Sequence, residues 1–594
     1  PYYTVHKNLN EYTRNRFFGK SSLWLKPTDW LKFEGRLGYD FYDAETFSKT
    51  AYTTDDPTGF FDLRDQKQTE VNADFVAYFN KNVGNLNINF LTGINYRDVK
   101  WKYNRIYSDQ LTVPELYTIS NAESSTIEMD HSHIRSNSIY GNLSLGYKNF
   151  LYSDISARND WSSTISDPFF YPSVSLSFIP TAAFNRFFKD TPLNYLKIRG
   201  GWAKIGNATT AYQTAAYYTA ATSTIGNVTQ FYLPTTYPPK GLKPESVETW
   251  ELGLEGNLFN SRLGFDLAYY HKKTTDEIMK VTTSSATGYS AMLINAGEIT
   301  NRGLEVQLNG TPIKTKDWTW TVTLNWSKDK SKIVELYKDP TTGQSLDQYE
   351  LGHQWSTYVY AKPGESWGSI YGYGMVSDGK GNYIIGSDGL PETKYEKLGD
   401  VTPDWLASLR NEVTWKNLSA GFMLDYRKGG DIFSVSSMWY AYTGIADFTA
   451  KGDIRERPIV VGKDVATDYS FVKEDGTAND ITTDAHAFFY SYYYNRQFST
   501  FEGSFLKLRE MHLTYNVPQY FLKKIDGFVK AANLSVIGTN VAILWLSSTN
   551  KAHIDPESTS TSSSHSSSSN YAVGLESVSY MPTRSIGFKI GLTF

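Results

Sequence analysis

Alternation with a period of two residues, sustained over runs of about 10 to 15 residues, constrains this chain more than any other feature. Leu31, Phe33, Gly35, Leu37, Tyr39 and Phe41 form one series, and Lys32, Glu34, Arg36, Gly38 and Asp40 the other. Successive side chains of a β-strand point to opposite faces, so such a run is a strand apolar on one side only. The pattern recurs in Leu86, Ile88, Phe90, Ile94 and Tyr96, in Ile139, Leu143, Leu145 and Tyr147, and in Trp250, Leu252, Leu254 and Leu258. It recurs again in Trp318, Trp320, Val322, Leu324 and Trp326, and in Ile586, Phe588, Ile590, Leu592 and Phe594. Soluble sandwiches also alternate, but their strands are most often about 5 to 6 residues long. These runs are longer, and aromatics close the ends of many of them, as the girdles of a membrane barrel require.

Composition narrows the choice. The chain has 594 residues, which suggests about four domains unless one large all-β unit absorbs the length. With 58 Lys and Arg against 62 Asp and Glu there is no basic excess for binding nucleic acid. The absence of cysteine excludes disulfides, thiolate metal sites and cysteine nucleophiles. Mean hydropathy is −0.43, and no apolar run approaches the roughly 18 residues of a membrane helix. A membrane β-barrel escapes that test, because its apolar residues alternate with polar ones. Forty-four tyrosines, beside 33 Phe and 15 Trp, suit a molecule with long boundaries between water and hydrocarbon.

The connections favour the barrel. Short turns near Pro27–Asp29, Asn82–Asn85, Lys148-Asn149, Asn260-Ser261, Lys314–Asp317 and Lys416-Asn417 alternate with long polar loops. Those loops are expected near 43–67, 101–132, 207–245, 274–300, 328–403, 427–501 and 546–583. Outer-membrane barrels place short turns in the periplasm and long loops outside. About 17 strands are expected, near 13–26, 30–43, 68–82, 85–101, 133–149, 150–163, 170–181, 193–206, 246–259, 261–274, 301–312, 316–328, 404–416, 417–428, 502–517, 530–545 and 584–594. Residues 1–12 are then an extracellular loop. Bacterial barrels have even strand numbers, so an odd number is expected upstream. Pro1-Tyr2-Tyr3-Thr4 is neither an initiator nor a signal peptide, and the chain reads as a piece of a longer one. Phe594 ends a strand expected to signal barrel insertion and to form the seam with the first strand.

No catalytic motif stands out. His131 and His133 share a strand face but have no third ligand near in sequence. Asp378, Lys380 and Asn382 echo a calcium loop without its bidentate Glu, and read as an ordinary Gly-rich loop. Residues 558–569 are almost all Ser and Thr, a composition of mobile loops. No cofactor or metal is expected. One constellation points to binding. Phe433, Trp439, Tyr440 and Tyr442 open the long connection 427–501, and Phe488, Phe489, Tyr490, Tyr492, Tyr493 and Tyr494 close it. Tyr212, Tyr217, Tyr218, Phe231, Tyr232 and Tyr237 occupy another loop. Rigid amphipathic rings make stacking platforms for sugars and peptides, and also serve as loop cores or girdles. The expected substrate-binding set is Trp439, Tyr440, Tyr442, Tyr490 and Tyr492, with Asp431 and Arg427 as polar anchors.

Nine stretches in order carry a resemblance. They are Ala157-Arg-Asn-Asp-Trp-Ser-Ser-Thr164 with Tyr171-Pro-Ser-Val-Ser175; Leu196-Lys-Ile-Arg-Gly-Gly-Trp202 with Gly206-Asn207; Lys243-Pro-Glu245 leading into Trp250-Glu-Leu-Gly253; and Asn295-Ala-Gly297 with Asn301-Arg-Gly-Leu-Glu305. Gly399-Asp-Val-Thr-Pro-Asp-Trp405, Lys428-Gly-Gly-Asp431, Phe505-Leu-Lys-Leu-Arg-Glu510, Asp555-Pro-Glu557 and Pro582-Thr-Arg-Ser585 complete them. From about residue 13 onward the chain resembles the barrel of SusC-like TonB-dependent transporters of Bacteroidetes outer membranes. The resemblance implies an all-β transmembrane antiparallel barrel of about 22 strands around a plug, with about five strands and the plug outside this chain. It implies a SusD-like surface lipoprotein lid, a TonB complex of the inner membrane as energy source, and oligosaccharides as cargo, with peptides as the alternative. A dimer of transporter–lid pairs is a further expectation. The competing reading is a passive porin or adhesin on the same wall, with no enzymatic role in either case.

Overall fold

The computed structural model describes residues 2–594 apart from 54–57, 216, 226–227, 238, 240, 283–287, 339–342, 466, 524–527, 560–573 and 578–581. A helical turn, α1 (Tyr2–Lys7), precedes the first long strand. The long strands are β1 (Leu9–Thr28), β2 (Leu31–Thr50), β3 (Phe60–Val83), β4 (Leu86–Ser108), β5 (Thr126–Tyr147), β6 (Leu151–Ser162), β7 (Phe169–Phe178), β8 (Leu193–Asn207) and β9 (Glu245–Leu258). They continue as β10 (Leu263–Thr282), β11 (Ala291–Lys314), β12 (Trp318–Glu335), β13 (Pro403–Trp415), β14 (Leu418–Gly429), β15 (Phe505–Asn516), β16 (Ala531–Leu546) and β17 (Ser585–Thr593). No helix among the described residues is long and apolar enough to cross a membrane, which says nothing of strands.

Several of these strands, β1 to β5 and β10 to β12, overrun the expected boundaries toward the long loops, while β6, β15 and β17 stay within theirs. The region expected as loop 43–67 is largely ladder: Asp43 pairs with Lys67, Glu45 with Asp65 and Thr50 with Phe60. The segment expected as loop 1–12 is α1 followed by β1 from Leu9, which pairs with Lys49. Backbone pairing continues beyond the height at which one face must be apolar, and there the alternation that marks a strand disappears.

Two compact units divide the chain. The first comprises Pro1–Phe178, Gly200–Thr249 and Thr274–Ala296; the second comprises Ile179–Arg199, Trp250–Lys273 and Gly297–Phe594. In the first, β1 to β7 form an antiparallel meander with sequential pairing. Its turns at one end of the strands are short; Lys148 and Asn149, with φ values of 50° and 60°, belong to the three-residue turn between Tyr147 and Leu151. Register puts Leu31, Phe79, Phe90, Leu143, Ile155 and Val174 in one row across the strands. The opposite face is ionic. Arg36 Nε donates to Glu34 at 2.9 Å, Tyr140 Oη to Asp74 at 3.3 Å and Arg158 Nε to Asp160 at 2.7 Å.

The second unit repeats the scheme. Four rows cross β12 to β17 on one face, and the lowest is Trp318, Trp415, Leu418, Tyr515, Leu534 and Ile590. Above it stand Trp320, Val413, Ala420, Leu513, Val536 and Phe588. Val322, Asn411, Phe422, Met511, Gly538 and Ile586 follow, and then Leu324, Leu409, Leu424 and Leu508. Trp320 Nε1 donates to Asn411 Oδ1 at 2.8 Å, which pairs the indole N–H with the amide oxygen in the band. On the other face Thr319, Thr414, Ser419, Thr514, Ser535 and Lys589 line up. An antiparallel wall with one apolar face, closed below by Trp318 stacked on Trp415 at 5.7 Å, is built for hydrocarbon on that side.

The second unit also carries the large loops. Residues 336–402 hold a four-stranded antiparallel sheet, Tyr349–Gln354, Thr357–Ala361, Trp367–Met375 and Thr393–Asp400. Residues 430–504 hold the strand Asp431–Ser434 and two helices, α2 (Val435–Tyr442) and α3 (Ala485–Tyr490). Met375, Ile385, Ala441, Ile459, Phe488 and Phe489 form part of a shared apolar core beneath them.

Candidate functional site

Helix α2 begins because Ser434 caps it: its Oγ accepts from Ser437 N at 3.0 Å. Val435, Met438 and Ala441 recur at helical spacing and are buried, while Trp439 and Tyr442 are half-buried and Tyr440 is exposed. Asp484 caps α3 by accepting from Ala487 N at 2.7 Å, and Phe488 and Phe489 anchor that helix in the core. The rings left outside meet. Trp439 lies 5.1 Å from Tyr442 and 6.3 Å from Tyr493, and Tyr442 lies 5.0 Å from Tyr490. Tyr490 approaches Tyr494 at 5.5 Å, with their hydroxyls 3.3 Å apart.

A second loop, 336–402, contributes a ring that the sequence did not advertise. Trp355 packs edge-on against Trp439 at 5.6 Å and Tyr493 at 5.9 Å. Trp355 and Ser356 form the turn of the hairpin Tyr349–Ala361, with φ values of 49° and 60°. A bulky residue in the left-handed region is strained, and such strain gathers where a side chain is being placed. Beside the cluster, Tyr442, Gly444, Arg455, Arg457, Asp484 and His486 border a cavity of about 550 Å³. Beneath it Arg496 is buried, with its guanidinium 5.3 Å from the Tyr493 ring and 5.9 Å from Phe433. Burial lowers the Arg496 pKa to about 10, against the opposing influence of Tyr493.

The expected residues divide. Trp439, Tyr442 and Tyr490 share the outer aromatic face, and Tyr440 is 37% exposed on the same helix as Trp439 and Tyr442. Tyr492 does not share it: it is buried, stacked on Phe498 at 4.5 Å, and burial pushes its hydroxyl pKa up. Asp431 and Arg427 are loop fasteners. Asp431 Oδ2 accepts from Asp400 N at 3.0 Å, and burial raises its carboxyl pKa. Arg427 donates to the carbonyls of Gly429 at 3.1 Å and Val401 at 3.1 Å. In the first unit, Tyr237 meets Tyr289 at 5.0 Å and Tyr212 meets His131 at 5.5 Å, while Tyr217, Tyr218, Phe231 and Tyr232 are exposed. His133 is bonded to Asp98 at 3.0 Å, alongside Arg135. Among the described residues no three His, Asp or Glu side chains are grouped to hold a metal. Asp378 uses its carboxylate within its own turn, accepting from Lys380 N and Asn382 N. The serine tract lies outside the described residues from 560 onward.

A second set of rings was missed in sequence. Tyr358, Tyr360, Tyr371, Tyr373 and Tyr395 share one face of the loop sheet, with Tyr358 and Tyr360 stacked at 5.6 Å. Their alternation across three short strands was hidden inside a region expected to be one loop.

The motifs that carried the resemblance come together as knots between loops and wall. Asn295 exchanges two bonds with Lys243, at 2.6 and 2.7 Å, and Asn207 Nδ2 donates to Glu245 at 3.1 Å. Lys507, from Phe505–Glu510, donates to Asp555 at 2.5 Å and Glu557 at 2.6 Å. Arg509 bridges Glu557 and Asp425, both at 2.7 Å.

A family model described as TonB dependent receptor-like, beta-barrel matches residues 2–449. TonB-dependent receptor P26 of Formosa agariphila is 24% identical over 629 residues, covering 99% of this chain and 60% of its own length. TonB-dependent receptor SusC of Bacteroides thetaiotaomicron is 29% identical over 299 residues, covering 46% of this chain and 28% of its own. In fold, the structure of the RagAB peptide transporter is similar with a TM-score of 0.73 at 18% identity, covering 98% of this chain and 62% of that one. The chain thus spans about 60% of the length of the relatives it matches along its whole extent. This chain belongs to the TonB-dependent receptor-like β-barrel family, SusC-like barrels of the outer membrane and not an enzyme family.

Proposed function

We propose that this chain supplies the wall and the cargo-gathering loops of an energised nutrient importer whose cargo is oligosaccharide. The supporting observation is the joined aromatic face of Trp355, Trp439, Tyr442, Tyr490 and Tyr493, drawn from three loop segments above the wall. Ring faces bind apolar sugar faces and tolerate varied linkages, while edge hydroxyls and the neighbouring cavity give orientation. Tyr440 widens this face; Tyr492, Asp431 and Arg427 serve by holding the loops in place. A SusD-like lipoprotein closing over the loops and a TonB complex acting from the periplasm are the proposed partners, with two transporter–lid pairs forming a dimer. Peptide is the alternative cargo.

The test is calorimetric binding of defined oligosaccharides and peptides to the purified full-length transporter–lid complex. Trp439→Ala with Tyr442→Ala is expected to weaken oligosaccharide binding by at least ten-fold, on the scale of about 1–3 kcal/mol per lost stacking surface. Unchanged affinity with the lid still attached would remove this face from the site, and binding of peptides alone would move the cargo class.

A further inference from the structure

The apolar face of the second unit is not smooth. One of its rows loses bulk at Gly538 and the row below loses it at Ala420. The register of β15 on β16 shifts between Leu508↔Ala542 and Glu510↔Thr539, so Asn540 and Val541 together stand opposite the single residue Arg509, and Asn540 adopts a φ of 50°. This bulge is secured by Arg509 Nη1 donating to Asn540 Oδ1 at 3.1 Å and by Asn540 Nδ2 donating to the Thr583 carbonyl at 3.4 Å. It sets Val541 against Gly538, where an added Cβ would stand 3.1 Å from Val541 Cγ2. Bulges of this kind bend a strand and re-aim its side chains beside functional sites.

The result is a groove of about 770 Å³ walled by Phe422, Met511, Leu513, Val536, Val541 and Ile586. Phe422, Met511, Leu513, Val536 and Ile586 are between 37% and 70% exposed, so the groove opens outward. Arg584 also borders it. It precedes Ile586 by two residues, so on an extended chain it stands on the same side. It lies where the long loop enters β17, the extracellular end of that strand, and it is exposed. Among the described residues it has no carboxylate partner.

We propose that this groove is a specific site for one phosphorylated acyl lipid of the outer leaflet. An apolar groove in a hydrocarbon-facing wall stays dry, and an acyl chain lying along it makes dispersion contacts with the side chains that wall it. The Arg584 guanidinium, exposed at the border of the groove, matches a phosphate. The occupant therefore needs both parts: a chain for the groove and an anion for Arg584. The site is on the lipid side of the wall and does not depend on the cargo reading.

The experiment extracts the full-length protein from outer membranes in mild detergent and counts bound lipid by native mass spectrometry and phosphate analysis. Wild type is expected to retain about one phosphorylated lipid per chain, and Gly538→Leu and Arg584→Glu to retain about ten-fold less while still running as folded, heat-modifiable protein. Added lipid A should refill stripped wild type but not Arg584→Glu, whereas diacylglycerol, which has chains and no phosphate, should not distinguish those two. If Gly538→Leu fails to fold, Arg584→Gln, at an exposed position, decides alone. Wild type free of lipid, or Arg584 variants retaining as much as wild type, would overturn the proposal.

Discussion

Lys507 shows what the loop motifs do at the scale of single residues. Its ammonium is almost buried, 6% exposed like its partner Asp555, and it ties the last long loop to the wall through Asp555 and Glu557. Breaking a buried ion pair from one side leaves an uncompensated charge and costs about 3–5 kcal/mol. Lys507→Met is therefore expected to release residues 547–559, read as faster hydrogen exchange and proteolysis there, with the wall still folded. Glu557 makes the same knot sensitive to acid. Burial pushes its carboxyl up, but hydrogen bonds from Arg509 and Lys507 outweigh that and hold it at about 2. A depressed carboxylate stabilises above its unfolded value of about 4.3 and loses that contribution as pH falls towards 2. Protection of this loop should thus decline between about pH 4.5 and 2, and Glu557→Gln should abolish that decline. Buried Glu576 plays a comparable part for the aromatic face: it accepts from Ser434 Oγ at 2.5 Å and from Ser436 N at 3.1 Å at the start of α2.

At the scale of elements, alternation located the wall because a strand between hydrocarbon and water must repeat every two residues. Leu143, Leu145, Val322, Leu324 and Leu424 stand on the apolar face as that alternation requires. Leu324→Arg should destabilise the folded protein by about 2–4 kcal/mol, measured by denaturant titration in bilayers, while Thr323→Arg on the polar face should cost far less. Finding the reverse would show the register slipped by one residue. Strand ends were less legible, since the ladder above the band is polar on both faces and imitates a loop. The loop sheet was invisible for the same reason: its strands are five to nine residues long and break at turns such as Trp355-Ser356, which lack the usual glycine. Helices α2 and α3 announced their aromatics but not their phase; Tyr492 was legible as a ring and not as a core ring. β17 pairs with β16 from Thr539↔Ser585 to Ala531↔Thr593 and presents apolar residues at every second position. Deleting it is expected to abolish recovery of folded protein in the outer membrane, because its loss exposes the edge of β16 to hydrocarbon.

At the scale of the whole molecule, the two readings that the sequence left open differ in energy, not in architecture. A porin or adhesin on this wall would pass or hold cargo without an energy source, whereas an importer must couple uptake to the inner membrane. The aromatic face fits the importer because a site that gathers cargo from dilute solution needs stacking affinity, and a site that releases it inward needs work done on it. The decisive measurement is accumulation of labelled oligosaccharide in cells carrying the full-length protein and the proposed lipoprotein lid, with the TonB complex intact or inactivated. Uptake is expected to collapse when the TonB complex is inactivated, and to fall at least ten-fold in the Trp439→Ala, Tyr442→Ala variant inserted at normal levels. Uptake of equal rate in cells lacking the TonB complex would contradict energised import.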